Sequence, residues 1–294
     1  MKKLYVLLWL VFLASCTNWT TIVSKDETWI SQTGQIDTTS QTSQLAPEEL
    51  QWENESVWLL TDEWWNTYSY VTEGWEEVII NPINHATMVL QWWDTTMYID
   101  PAEAMESYES YPEPSVILLT HSHPDHFLND VLQQLTADNS VQIIATSDVY
   151  DQMPAELQER TLTMANGENV NQWEFFIEAV PAYNVREEAK QFHPEGRDNG
   201  YILEKDGTTL YISWDTGDTP ELRALQDIDI GFLSMNLPYT MSIDSAIWAI
   251  NEFQPRYVFP YHFKWEQWLA DVERLKSEVE ANNSNIQVIL ADWY

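Results

Sequence analysis

Three of the chain's six histidines fall within one hexapeptide, His121-Ser122-His123-Pro124-Asp125-His126; the others are His85, His193 and His262. Imidazole and carboxylate are the ligand types of zinc, iron and manganese sites. Four such side chains in six residues form a metal-binding pattern, against the blander reading of a polar surface cluster. His121 and His123 alternate along the chain and can turn toward one ion. Asp125 and His126 open the next turn and can reach a second. Two further candidates are Asp215, in Ser213-Trp214-Asp215-Thr216-Gly217-Asp218, and His262, in Phe259-Pro260-Tyr261-His262-Phe263. Taken singly, a loop Asp or His is more often a cap or a surface residue. Their shared position changes that.

Each candidate directly follows a strand-like run. Val116-Ile117-Leu118-Leu119 precedes the His cluster, residues 209–212 precede Asp215, and Tyr257-Val258-Phe259 precedes His262. Ligands of α/β sheets gather at the carboxyl ends of strands, so three strands deliver metal-type side chains to one edge. Around them, the pattern predicts strands at 78–80, 87–90, 96–99, 141–145, 175–180, 201–204 and 286–290. It predicts a helix bearing Phe127, Leu128, Val131, Leu132 and Leu135 on one face. A second helix carries Ile243, Ala246, Ile247, Ile250 and Phe253, and a third runs over 269–279. Strands first in hairpins and then interleaved with helices predict a layered α/β sandwich. No internal repeat is visible.

In this order, the His121-x-His123-x-Asp125-His126 motif, the Asp215-Thr216 turn and Pro260-Tyr261-His262 resemble the metallo-β-lactamase superfamily, over roughly residues 78–294. More narrowly, the chain is similar to the metal-dependent hydrolase branch that includes sugar-lactonase-like proteins. The shared segments are Pro82-Ile83-Asn84-His85-Ala86-Thr87, Ile99-Asp100-Pro101, Asn199-Gly200-Tyr201 and Asn236-Leu237-Pro238-Tyr239-Thr240-Met241. The resemblance implies a four-layer αββα sandwich with a two-metal site at its edge. Carried over residue by residue, it puts His121 and His123 on the first metal. Asp125, His126 and His262 then bind the second, and Asp215 bridges the two. Many members place a third imidazole for the first metal just after the strand that here ends Val180-Pro181-Ala182-Tyr183-Asn184. Asn184 is a poor zinc ligand, so the role passes to His193, in Phe192-His193-Pro194-Glu195-Gly196-Arg197; the alternative is that His193 contacts substrate and the first metal is held weakly. The implied cofactor is two divalent ions, zinc foremost, with iron or manganese as alternatives.

The chemistry that follows is hydrolysis by a metal-activated hydroxide. Two cations lower the pKa of a shared water toward about 7. Asp125 or Asp215 orients the hydroxide, which attacks an ester, lactone or phosphodiester while the second metal stabilises the oxyanion. Tyr239 and His85 are candidate donors to the oxyanion or leaving group, or else packed core residues. No Gly-x-Ser-x-Gly elbow is present. Two other readings remain: an iron-dependent redox member of the same fold, and a non-catalytic, lipid-anchored binding protein.

Lys and Arg number 13 against 47 Asp and Glu, a formal charge of −34. Such a surface repels phosphate backbones and excludes a general nucleic-acid binder; the expected substrate is a small or lipid-like molecule. Any membrane attachment must be hydrophobic or covalent, and the amino-terminal residues offer the means. Lys2 and Lys3 precede an apolar run over 4–13, too short to span a bilayer, and then Leu13-Ala14-Ser15-Cys16. These four residues resemble the lipobox of bacterial lipoproteins, which implies an exported protein anchored through a lipidated Cys16 and facing outward. An ordinary signal peptide with a chance cysteine is the alternative. Residues 1–16 are thus expected as signal peptide, 17–50, rich in Thr, Ser and Gln, as a flexible linker, and 51–294 as the catalytic domain.

One count is abnormal. A chain of this length carries about 20 glycines on average usage; this one has 8, together with 16 tryptophans. Several tryptophans stand where turns favour glycine: Trp64-Trp65 before Asn66, Trp75 after Gly74, Trp93 before Asp94, and Trp214 before Asp215. The resembling family has Gly in place of Trp214, in a tight Gly-Asp-Thr turn. Some bacterial lineages read the codon UGA as glycine, and translating such a gene by the standard code yields this pattern. The expectation is that most of the tryptophans, Trp214 foremost, are glycine in the natural protein; a truly Trp-rich chain with aromatic patches for carbohydrate or lipid is the alternative.

Overall fold

A computed structural model describes residues 59–62, 66–72, 74–137, 140–265 and 268–294. The expected signal peptide, Cys16, the linker and Trp64-Trp65 lie outside the described residues.

Two sheets face each other. The first runs in chain order through β1 (Leu59–Asp62), β2 (Thr67–Val71), β3 (Glu77–Asn84), β4 (Thr87–Trp92), β5 (Thr95–Ile99), β6 (Val116–Leu118), β7 (Gln142–Ala145) and β8 (Thr161–Thr163). The second holds β9 (Asn169–Gln172), β10 (Phe175–Ala182), β11 (Asp198–Lys205), β12 (Thr208–Ile212), β13 (Ile230–Ser234), β14 (Tyr257–Tyr261) and β17 (Gln287–Val288). A small hairpin, β15 (Lys264–Trp265) with β16 (Trp268–Leu269), stands apart. In each sheet the first strands pair antiparallel and the later ones parallel, from β5 onward in one and from β12 onward in the other. The halves therefore repeat one topology that the sequence does not display.

The apolar pattern explains the layering. Ile80, Leu90 and Ile99 of the first sheet meet Ile177, Ile212 and Phe259 of the second in one buried core. A second cluster lies under α1 (Asn129–Leu135), α2 (Ser147–Gln152) and α3 (Ala155–Gln158), where Val131, Leu132 and Val149 cover Ile117 and Ile143. A third lies under α4 (Pro220–Arg223), α5 (Ile243–Phe253) and α6 (Val272–Asn282), where Ile250, Leu275 and Val279 cover Leu233 and Val258. Three cores separate four layers, which is the αββα sandwich.

Most expected elements are present with longer strands. Leu128 departs from its expected helical face: it is the N-cap position of α1 and exposed. The last helix starts at Val272 rather than 269, because the Asp271 carboxylate accepts the Arg274 N–H at 3.0 Å and sets the N-cap there, while Leu269 pairs in the small hairpin. β13, central and wholly buried, was not marked by the sequence pattern. Among the described residues no helix is long and apolar enough to cross a membrane.

Candidate metal centre

The turn after β6 is wound tightly: the N–H groups of His126 and Phe127 both bond to the His123 carbonyl, at 3.0 and 2.9 Å. Its hydrogen bonds turn His121, His123, Asp125 and His126 over the sheet edge. Asp215 follows β12, His262 follows β14, His193 ends the excursion after β10, and His85 sits in the turn between β3 and β4. Every histidine of the chain therefore reaches one edge.

Asp215 is the meeting point. Its Oδ2 lies 3.4 Å from His193 Nε2 and 3.7 Å from His126 Nε2, and its Oδ1 lies 3.5 Å from His262 Nε2. On one side it groups with His121, His123 and His193, and on the other with His126 and His262. Asp125 Oδ2 completes the second side, 3.5 Å from both His126 Nε2 and His262 Nε2. His121 Nε2 and His123 Nδ1 are 3.0 Å apart. Ligand atoms on a tetrahedral cation with bonds of about 2.0–2.1 Å stand roughly 3.4 Å from one another, so these spacings suit donors around a common ion.

Three of the donor atoms also lack any hydrogen-bond partner. His126 Nε2, His262 Nε2 and Asp215 Oδ1 are buried without a hydrogen bond. Buried polar atoms are rarely left so, and cations on either side of Asp215 would satisfy all three. The chemistry of the donor set therefore fits divalent metal.

The charges are balanced internally. Burial opposes protonation of His126, but the Asp125 and Asp215 carboxylates outweigh it and hold its pKa well above the usual value. Burial likewise pushes Asp215 up, yet His262, His126 and His193 pull it below the ordinary carboxylate range; Asp125 is lowered against burial in the same way, by His126 first. Burial and neighbouring histidines depress His121 and His123.

The other candidates divide. The Asn184 amide donates to the carbonyls of Ala189 and Tyr239, at 3.1 and 2.6 Å, and so fastens the loop that carries His193. Tyr239 is half-buried and lines a cavity of about 220 Å³ over Asp215, with Phe192 and Trp265 as its other aromatic walls. His85 packs on His262 with ring centroids 3.8 Å apart. Its Nε2 is 3.2 Å from Asp125 Oδ2, and its Nδ1 is 3.1 Å from the Tyr294 hydroxyl.

Two supporting residues had no role assigned from the sequence: Asp100, quoted only within Ile99-Asp100-Pro101, and Asp198, not named at all. Asp100 Oδ2 accepts from His126 Nδ1 at 2.9 Å, and Asp198 Oδ2 pairs with His193 Nδ1 at 3.1 Å. Each fixes a ring so that Nε2 points to the cluster, as carboxylate–histidine–metal arrangements require. Burial drives Asp100 up to about 7, against hydrogen bonds from His126 and Thr120 that lower it. A signal for Asp100 was present, since it follows β5 at the same edge. Asp198 stands only five residues after His193.

A metal-dependent hydrolase of the metallo-β-lactamase fold is the class that this sandwich and its His/Asp edge define. Residues 80–262 match the family model described as Beta-lactamase superfamily domain, and the chain belongs to that superfamily. A UPF0173 metal-dependent hydrolase of Staphylococcus carnosus is 30% identical over 167 residues, 51% of this chain and 68% of the relative. One from Nanoarchaeum equitans is 25% identical over 219 residues, 72% of this chain and 97% of the relative. Among solved structures, a Parabacteroides distasonis protein assigned as a metal-dependent hydrolase is 33% identical, with TM-score 0.69 over 78% of this chain and 99% of that one.

Proposed function

We propose that the protein is a binuclear zinc hydrolase of small, uncharged carboxylic esters or lactones. The observation that carries this is Asp215, flanked on both faces by imidazoles. His121, His123 and His193 would hold one cation, Asp125, His126 and His262 the other, and Asp215 both. Cations held there supply an acidified water as nucleophile and positive charge for the developing oxyanion. The chain's own groups do the rest. Asp125 and Asp215 stay ionised and are placed to accept the water's proton. Phe192, Tyr239 and Trp265 form the aromatic walls of the cavity against which an apolar part of the substrate can pack. His85 is engaged on both ring nitrogens, by Asp125 and by the Tyr294 hydroxyl, and so positions the Asp125 carboxylate, while Tyr239, which lines the cavity, is the candidate donor to the leaving oxygen.

The preference for a neutral acyl substrate rests on charge and size. Among the described residues no Lys or Arg, which phosphodiester recognition favours, lines the cavity, and the formal charge of −34 disfavours anions. The amino-terminal residues 1–16 support an envelope lipoprotein anchored through Cys16. The test is metal analysis of purified protein with hydrolysis of a short-chain lactone, an aryl ester and a phosphodiester. Two zinc ions per chain with lactone or ester turnover abolished by chelation is the expected result. Turnover that survives metal depletion overturns the mechanism, and faster phosphodiester turnover overturns the substrate class.

A further inference from the structure

Twelve described residues other than glycine have φ in the left-handed region. Six are Asn, Asp or His, the types that tolerate it. Of the other six, Glu174 and Gln254 are joined by four tryptophans: Trp75 (φ 65°), Trp93 (59°), Trp173 (50°) and Trp214 (69°). A bulky residue with a Cβ is the wrong choice there, and three of these positions lie in turns that favour glycine or a short polar residue. Trp93-Asp94 is the two-residue loop between β4 and β5, with φ positive only at its first residue, where a II′ turn takes Gly. Trp173-Glu174 joins β9 to β10 with both φ positive, the I′ form. The equivalent loop between β11 and β12 is Asp206-Gly207, a standard I′ pair. Trp75 closes a turn by donating its N–H to the Thr72 carbonyl at 2.9 Å, the place where Gly is favoured. Its side chain and that of Trp93 are 80% and 68% exposed, so neither packs to offset its backbone.

Trp214 is the informative case. It is wholly buried beside the metal cluster, its ring centroid 4.7 Å from that of His126. Its indole N–H donates to His121 Nδ1. Indole nitrogen is a donor only, so His121 Nδ1 must be the bare nitrogen and the proton must sit on Nε2. That is the nitrogen facing His123 and the first cation. The written residue thus holds His121 in the tautomer that cannot bind metal. With glycine, φ 69° is relaxed, the indole is gone, and His121 Nδ1–H faces the Thr120 hydroxyl at 3.4 Å, itself bonded to Asp100.

We propose that residues 75, 93, 173 and 214 are glycine in the protein as its own cell makes it, each encoded by a UGA codon read as glycine, and that glycine at 214 frees His121 to bind the first metal. The structure also limits the substitution. Trp92 stacks edge-on against Phe175 at 5.1 Å, and Trp293 packs on Tyr261 at 5.6 Å, both buried with ordinary φ, so the proposal does not extend to them.

The decisive experiment is mass spectrometry of the protein from its source cells. The tryptic peptide 206–223 is expected at the mass of glycine at 214; tryptophan mass there overturns the proposal. That reading is independent of the hydrolase assignment. A second arm, which does rest on it, compares the written chain with the Trp75→Gly/Trp93→Gly/Trp173→Gly/Trp214→Gly variant by zinc titration. The variant should bind its first zinc at least roughly tenfold more tightly, the size of a metal-ligand orientation effect. Equal affinity would show that residue 214 does not govern His121.

Discussion

Replacing Asp198 by Asn should separate the two metal positions. Asp198 is fully buried and faces three donors: His193 Nδ1 at 3.1 Å, Arg197 Nε at 2.6 Å and Arg197 Nη2 at 2.8 Å. A carboxylate can accept all three. An amide has one acceptor oxygen, and the Arg197 fork competes for it with two fixed N–H groups. The amide NH₂ then turns toward His193 Nδ1, so that nitrogen must accept and Nε2 must carry the proton. His193 Nε2 is the atom 3.4 Å from Asp215 that faces the first cation. The change is isosteric and leaves every ligand in place, so what it removes is the correct tautomer. Loss of such a supporting carboxylate lowers metal affinity about 10–100-fold, or roughly 1.4–2.7 kcal/mol.

The second position should hold its metal within about threefold, because His126 and His262 make no contact with Asp198. Competition against a chromophoric chelator resolves two binding events in the parent protein and should show one of them weakened. Asp100→Asn is the mirror control: Asp100 supports His126, so the other event should weaken. Circular dichroism checks that both variants fold. Equal weakening of both events by Asp198→Asn, or none, would refute the assignment of His193 to the first metal.

Asp215→Ala should release both metals and abolish turnover together, since both groups of donors share it; elemental analysis showing two metals retained would contradict the bridging place. His193→Ala should reduce metal occupancy more than Asn184→Ala, whose amide is engaged by two carbonyls; the reverse order would move the third ligand to residue 184. The metal-free protein should be most stable near neutral pH. His85, His121 and His123 have depressed values, so protonating them below about 6.5 favours unfolding. His126 has a raised value, so its contribution is complete below about 6.5 and is lost as pH climbs through that raised value. Zinc must displace the His126 proton, so affinity should rise with pH, up to about tenfold per unit; a flat pH profile would count against His126 as a ligand. Cys16→Ser should shift the protein from the membrane fraction to the soluble one, and persistence in the membrane would sink the lipoprotein reading.

The parts of this site legible in the sequence are those whose chemistry is local. The hexapeptide 121–126 declares itself because a tight turn needs few residues to aim four ligands. Asp215 and His262 were found because each follows a buried strand, and strand ends converge on one edge. His193 was reached only by elimination, since eight residues of loop separate it from Asn184 and no period fixes where a loop returns. Asp198 shows the harder limit. Nothing in Arg197-Asp198 distinguishes a supporting carboxylate from a surface ion pair; only the fold tells that its oxygen meets a histidine ring in the dry interior. Backbone conformation is the other hidden quantity. The composition pointed to misplaced tryptophans but could not say which, and it named the pair 64–65 alongside 75, 93 and 214. Positive φ separates Trp93 from its neighbour Trp92, one on a hairpin tip and the other in the core, though both precede the same aspartate by one or two residues. It also adds Trp173, which the sequence did not single out. The metal site and the translation of the gene then become one question at Trp214, because a residue that strains its own backbone also holds a ligand in the wrong tautomer.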